Sequence, residues 1–298
     1  MAAVSAQTPV IKHHGDSSSH YPLSNDTMER ERLHFQHEAV MALMEQEPIH
    51  APILGHPVKK IIDIGCGVNA DMTKVLAQRF PVAKVYGVDL SAIDAEGVAS
   101  NVEFIRGNIA NLIGVDERLT PGSADYVFSR FLVAGIDDWE AHIKAVARLL
   151  APGGWLEMHD LKVLHWYSLQ TGECLSREWE WLKSLEKREP TSDKSDLHGI
   201  KDWKGWFRSA GLNDVVVKPY RLRYEPTPIP EEPAAELYAQ HGTTMSWISF
   251  GTSCERWFPG PENAEKRRHL IEGCKQNLRG EKGKHLPIVA VWGQKPGN

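Results

Sequence analysis

Residues 61–69 read IIDIGCGVN, and residues 85–91 read VYGVDLS. The first is an Ile-rich apolar run that breaks into Asp63-Ile64-Gly65-Cys66-Gly67, and the second is an apolar run that closes on Asp89. A short apolar run ending in glycines ahead of a helical pattern reads as strand, tight turn and helix. Glycines at such a turn let a ligand approach the backbone closely. An acid ending the next strand can accept hydrogen bonds from two ribose hydroxyls. Gly65-Cys66-Gly67-Val68-Asn69-Ala70 also fits the loose dinucleotide fingerprint. At this point a nicotinamide dinucleotide and S-adenosylmethionine (SAM) both remain open.

Three features favour SAM. Asp63 stands two residues before Gly65, where an acid suits a cationic aminoalkyl group and would repel a pyrophosphate. A third run, NVEFIRG, leads into Gly107-Asn108-Ile109, where Asn108 can meet an adenine amino group and Ile109 can pack on the ring. APGGW then precedes a fifth apolar run, and a terminal pair of strands follows.

Working outward, KKIIDI, KVYGVDL, NVEFIRG, ADYVFSRFLV and WLEMHDL alternate with helical patterns, and VVVKPYRLRYE and LPIVAVWGQKP add two strands. Strands alternating with helices predict a Rossmann-like α/β fold with a seven-stranded, mostly parallel sheet. A helix is expected from Ser24, with Leu33, His37, Val40 and Met44 at helical spacing and Pro48 as its stop. DDWEAHIKAVARLLAPGG predicts an amphipathic helix stopped by Gly153-Gly154, with Asp137 or Asp138 as its cap. Residues 1–20 are small and polar and read as a disordered tail, leaving 21–298 as a single domain. Trp-rich helical segments at about 162–200 and 231–280 read as lid or substrate additions at the sheet's carboxyl edge.

The net charge of −5 and the absence of a basic block denser than KRR at 266–268 disfavour a nucleic-acid partner. No stretch reaches transmembrane length, and the N-terminus carries no signal-peptide core. Cys66, Cys174, Cys254 and Cys274 form no C-x-x-C pair and are read as reduced, so a cytoplasmic protein is expected. Cys274 falls on the apolar side of a helix with Leu270, Ile271 and Leu278. No metal constellation stands out.

YPLSNDTMERERLHFQH at 21–37, IIDIGCG, VDLS at 88–91, SRFLVAGIDDW at 129–139 and PGGWLEMHDL at 152–161 together resemble the class I SAM-dependent methyltransferases. Within them the chain is similar to the fungal secondary-metabolism group, which includes small-molecule methyltransferases and a regulator of the velvet complex. The resemblance covers roughly residues 21–161. It implies a SAM loop of Asp63, Gly65 and Gly67, with Asp89 and its neighbour Leu90 at the ribose. Asn108 and Ile109 would hold the adenine, Asn108 replacing the Asp common there. It also implies that Arg130 lies near the methionine end of SAM, and that Tyr21 leads a helix that closes over the cofactor. Arg32 and His37 belong to the same stretch without an assigned role.

Methyl transfer is an in-line displacement at carbon, so the protein must align nucleophile, methyl and sulfur and exclude water. A base is needed only for a nucleophile that arrives protonated. His159, at the carboxyl end of the fifth strand, is the candidate; His165, His198 and His241 are unranked alternatives. The expected activity is methylation of O, N or S on a small secondary metabolite, yielding S-adenosylhomocysteine (SAH). The alternatives are a regulator acting through protein partners, a SAM-fold enzyme with non-methylating chemistry, and an NAD-dependent oxidoreductase.

Overall fold

The computed structural model describes residues 27–93, 96–186, 201–224, 246, 249–251, 253–255, 257–279 and 283–297. Within these, a mixed sheet runs in the order β3-β2-β1-β4-β5-β8-β6, with β7 paired to β8. Its strands are β1 (Lys60–Ile64), β2 (Lys84–Asp89), β3 (Val102–Arg106), β4 (Ala124–Arg130), β5 (Leu150–Leu161), β6 (Tyr167–Ser168), β7 (Asn213–Tyr224) and β8 (Lys284–Gln294). β1 to β5 are mutually parallel, whereas β8 runs antiparallel to β5, β6 and β7. The seven expected strands are all present, and the two-residue β6 is an addition. Helices α1 (Thr27–Leu43), α2 (Asp71–Arg79), α3 (Ile109–Leu112), α4 (Trp139–Ala147), α5 (Glu180–Glu186), α6 (Trp203–Ser209) and α7 (Ala264–Arg279) accompany the sheet, with 3-10 turns at Glu117–Leu119 and Pro261–Asn263.

β1, β4 and the second half of β5 are buried on both faces because both are covered, as a parallel sheet requires. Ile62, Ile64, Val127, Leu156 and Met158 face Ile143 and Val146 of α4 and Trp203 and Phe207 of α6. Ile61, Val85, Tyr126 and Phe128 face Met72 and Leu76 of α2. A third cluster joins Leu161, Trp166, Trp181, Tyr224, Phe250, Leu270 and Ile288, and it buries Cys274 beside Leu278, as the helical spacing predicts. β1 pairs with β2 on one side and β4 on the other, so the chain reverses direction across the sheet at β1, where open α/β sheets bind ligands.

Four expected boundaries move. α1 stops at Leu43 rather than Pro48, because Glu45 and Gln46 take φ of 54° and 61°. The Gln46 amide then reaches back to the Met41 carbonyl at 2.8 Å, as in a glycine-type helix end. α4 ends at Ala147, and β5 already begins at Leu150, so Ala151-Pro152-Gly153-Gly154 is strand. It is strand because β4 and β5 shift register between Ala124 and Tyr126, and Gly153 takes a φ of 79° at that bulge. Finally, residues 162–179 are loop apart from β6, so among the described residues of that segment the helix is α5. Residues 1–26 with Tyr21, residues 187–200 with His198, and residues 225–245 with His241 lie outside the described residues.

Candidate functional site

The carboxyl ends of β1, β2 and β4 converge on the Gly65–Gly67 turn. Gly65 and Gly67 have φ of 67° and 71°, conformations that disfavour any side chain. The Gly65 and Cys66 amides both donate to the Val88 carbonyl, at 2.8 and 3.2 Å, which folds the turn onto the end of β2. A Cβ at Gly65 would collide with Leu132 of the segment after β4. The turn is thus packed from below and from one side.

Asp89 locks it from the other. One carboxylate oxygen accepts from the Gly67 amide at 2.9 Å and the other from the Ser91 amide at 2.8 Å. A carboxylate offers about four lone-pair sites, and these two amides fix its orientation at the end of β2, where it is of the type that accepts from ribose hydroxyls. Leu90, the next residue, is half-buried, and its carbonyl accepts from Arg106 at 3.4 Å. At the end of β3, Asn108 spends one lone pair capping α3, accepting from the Ala110 amide at 3.0 Å, while Ile109 is buried beneath. The Asn108 oxygen can still accept one further bond, so its expected adenine contact is compatible with this capping duty.

Asp63 departs from the expectation. It does not open toward a ligand: it is 2% exposed and accepts from the Thr73 hydroxyl of α2 at 2.5 Å. Burial pushes its carboxyl up to about 6, against the pull of Thr73 and the nearby Arg130. Its place is beneath the turn, as a tie between β1 and α2 and as part of the charge environment of Arg130.

Arg130 ends β4. Burial lowers its guanidinium to about 10, with Asp63 and Asp71 opposing the change, so it is a cation at neutral pH. Its Nη2 lies 2.7 Å from Nδ1 of His37 on α1. Arginine can only donate, so His37 accepts there and carries its proton on Nε2. Burial, and then Arg130, hold His37 down at about 3, which keeps it neutral. The other terminal nitrogen of Arg130, Nη1, is buried without a hydrogen-bond partner among the described residues. A buried cationic donor without an acceptor at the mouth of the sheet fits the carboxylate of the amino-acid end of SAM. α1 also touches the turn through Asn69, whose side-chain amide donates to the Arg30 carbonyl at 2.9 Å, and through Leu33, which sits over Gly67.

His159 is a correction. It is wholly buried, with Nε2 2.7 Å from Glu157 and its ring edge-on to Phe128 and His50. Burial lowers its basicity despite Glu157, and no part of the ring reaches a surface where a substrate could meet it. Instead it belongs to a hub that sequence reasoning missed. The Glu157 carboxylate also accepts from the backbone of His50 and Ala51, from His50 Nδ1 and from the Tyr126 hydroxyl. Burial alone would raise Glu157; the bonds from His159 and His50 outweigh it and bring the group to about 2. The ligand atoms of His50, Glu157 and His159 lie within 4.8 Å of one another, a grouping that could hold a metal. Both His50 ring nitrogens are engaged, one by Glu157 and the other by the Tyr220 hydroxyl, whereas His159 Nδ1 has no hydrogen-bond partner among the described residues. The signal was present in WLEMHDL: Glu157 and His159 fall on the same face of the strand, opposite Leu156 and Met158.

Asp138 caps α4, accepting from the Ala141 amide at 3.0 Å, as expected. His165 meets the Ser176 hydroxyl at 2.9 Å, away from the turn in sequence and in hydrogen bonding. Among the described residues no helix is long and apolar enough to cross a membrane.

Residues 33–217 match the family described as "Methyltransferase domain". The chain is 32% identical over 238 residues to methyltransferase str3 of Strobilurus tenacellus, covering 78% of this chain and 76% of that one. It is 30% identical over 207 residues to the secondary metabolism regulator laeA of Aspergillus niger, where it spans 68% of this chain and 52% of that one. It is 27% identical over 214 residues to N-methyltransferase tcpN of Claviceps purpurea, over 67% of this chain and 70% of that one. With Asp89, the left-handed glycine turn and the buried Arg130 nitrogen converging at one edge of the sheet, the chain belongs to the SAM-dependent methyltransferases of the fungal secondary-metabolism type.

Proposed function

We propose that this protein transfers the methyl group of SAM to an oxygen, nitrogen or sulfur of a small secondary metabolite, in the cytoplasm, releasing SAH. The observation that carries the reading is the geometry around Asp89: its two oxygens hold the Gly67 and Ser91 amides at 2.9 and 2.8 Å, which aims the carboxylate to accept from ribose hydroxyls. Gly65 and Gly67 would admit the cofactor to the backbone, Asn108 and Ile109 would flank the adenine, and Arg130 would take the carboxylate. SAM, when bound, supplies the sulfonium-activated methyl group. The chain's own part is orientation and exclusion of water, which contribute up to about 7–11 kcal/mol in such reactions. The third apolar cluster, with Trp166 packed among Trp179, Trp181 and Tyr224 and with Phe131 and Val133 at its margin, supports an apolar acceptor held on that side. Residues 21–298 would then act as one domain.

The likeness to laeA favours a second reading, a regulator acting through protein partners. One experiment separates the two. The purified protein is incubated with methyl-labelled SAM and an extract of the producing organism, and small molecules are separated from macromolecules. Label in an organic-soluble product, lost with Asp89→Ala, is the expected result. Label in protein would put the regulator first, and no label in either fraction would overturn methyl transfer.

A further inference from the structure

The chain leaves β4 in a strained conformation. Phe131 has a φ of 53°, a left-handed geometry that an aromatic residue adopts at a cost, and one that persists only where the surroundings enforce it. The enforcing contacts come from the end of β5. The Phe131 amide donates to the His159 carbonyl at 2.9 Å. The Leu132 amide donates to one oxygen of Asp160 at 2.7 Å. The second Asp160 oxygen accepts from the Leu161 amide at 2.7 Å. Asp160 is 2% exposed, and Lys201, leading into α6, is the charged group that bears on it.

This three-residue segment touches the glycine turn, α1 and the Trp-rich cluster. Leu132 is seated against Gly65. Phe131 packs with Val40 and Met44 of α1 and reaches the Trp-rich cluster, and Val133 lies between that cluster and the core under α4. Arg130 immediately precedes it. Burying a carboxylate is costly unless its oxygens are well used, and here they hold the backbone of a strained loop. An apolar residue at this position would serve the core alone equally well.

We propose that Asp160 is a positioning residue for the cofactor: by fixing Phe131–Val133 it seats Leu132 on the Gly65 turn and sets Arg130 toward the amino-acid end of the adenosyl ligand. The proposal rests on the reading that this edge of the sheet binds SAM. An Asn at 160 offers a single acceptor oxygen where two opposed amides need one each, so it releases the loop with little change in volume.

The test is calorimetric titration of SAH into the wild type, Asp160→Asn, Leu132→Ala and the double variant, with thermal melting and amide hydrogen exchange alongside. Asp160→Asn is expected to weaken SAH about tenfold, the loss of roughly 1.4 kcal/mol of binding. It is also expected to speed exchange at Leu132 and Val133 while leaving β1 and β2 protected. In the Leu132→Ala background the same substitution should cost less than about threefold, because the residue it acts through is gone. Fully additive losses, or unchanged affinity in a folded Asp160→Asn protein, would overturn the proposal. Should that variant not fold, Leu132→Ala alone decides: unchanged SAH affinity there overturns it. A wild type that binds no SAH would instead sink the functional reading on which it rests.

Discussion

Arg130 and His37 are 93 residues apart in sequence and 2.7 Å apart in space, joined Nη2 to Nδ1 with the histidine as acceptor. The bond ties the first helix to the end of the fourth strand and leaves the arginine's second terminal nitrogen directed elsewhere. Because burial and Arg130 together keep His37 neutral down to about 3, the bond persists across the physiological range. His37→Leu removes the acceptor and frees the guanidinium to rotate. It is expected to weaken SAH roughly tenfold, in line with about 1.5–3 kcal/mol for a hydrogen bond to a charged group. Arg130→Gln should weaken it more. Methylthioadenosine, which lacks the amino-acid end, serves as the control in calorimetry. Its affinity should be the same in wild type and Arg130→Gln; an equal loss for both ligands would place Arg130 away from the carboxylate.

Asp89→Ala should abolish detectable SAH binding with the fold intact. The carboxylate is half-buried, and its removal strands the Gly67 and Ser91 amides, which water can reach. The expected stability loss is therefore only about 1–2 kcal/mol. Circular dichroism and melting check the fold, and calorimetry checks the site. Retained affinity would remove the ribose assignment.

The Glu157 hub is structural, and its prediction has the opposite form. Glu157→Ala leaves a buried tyrosine hydroxyl, two histidines and two backbone amides without their acceptor. Breaking a buried charged network by removing one partner costs about 3–5 kcal/mol. Denaturant unfolding should show a loss of that order, or an insoluble protein. His159→Phe, which keeps an aromatic ring against Phe128 and His50, should cost less and leave SAH affinity unchanged in any protein that folds. A selective loss of methyl transfer without loss of stability in His159→Phe would restore His159 as a base.

These cases mark what could be read in the chain. β1 to β5 and the glycine turn were legible because each is local: an apolar run, a glycine pair and a terminal acid within a few residues. The roles proposed for Asp89 and Asn108 rest on that same local grammar. Glu157 and His159 were legible as polar residues on one strand face but not as a hub, since their partners Tyr126 and His50 lie 31 and 107 residues from Glu157. Asp63 was misdirected for a related reason: its partner Thr73 lies in α2, and nothing in IIDIGCG reveals that the side chain turns inward. The strand through Ala151-Pro152-Gly153-Gly154 was hidden because Pro and Gly ordinarily end elements, and only the bulge opposite Ala124 accommodates them. His37 repeats with Val40 and Met44 as a core position would, and its polar duty appears only when Arg130 is brought to it.

Acid sensitivity provides the last prediction, centred on His142. This side chain of α4 is buried edge-on to Trp139, with Nε2 unpartnered among the described residues. Burial lowers its pKa from 6.5 to about 4. The sign follows from proton counts: between pH 4 and 6.5 the unfolded chain holds a proton on this group that the folded chain does not. Stability contributed by the neutral form is therefore complete above the unfolded value and declines as the pH falls toward the folded one. His37 and His285, lowered to about 3 and about 4, act in the same direction, whereas Asp63 and Asp160, raised to about 6 and about 7, act against it. The whole-protein profile mixes these opposing groups, so the informative quantity is the difference between wild type and His142→Phe. Relative to the variant, the wild type should lose up to about 3 kcal/mol between pH 7 and pH 4, because stability falls by about 1.4 kcal/mol for each pH unit crossed between the unfolded and folded pKa values. Parallel unfolding curves for the two proteins across that range would show that His142 takes up its proton in the folded state as readily as in the unfolded chain, and that burial does not hold it neutral.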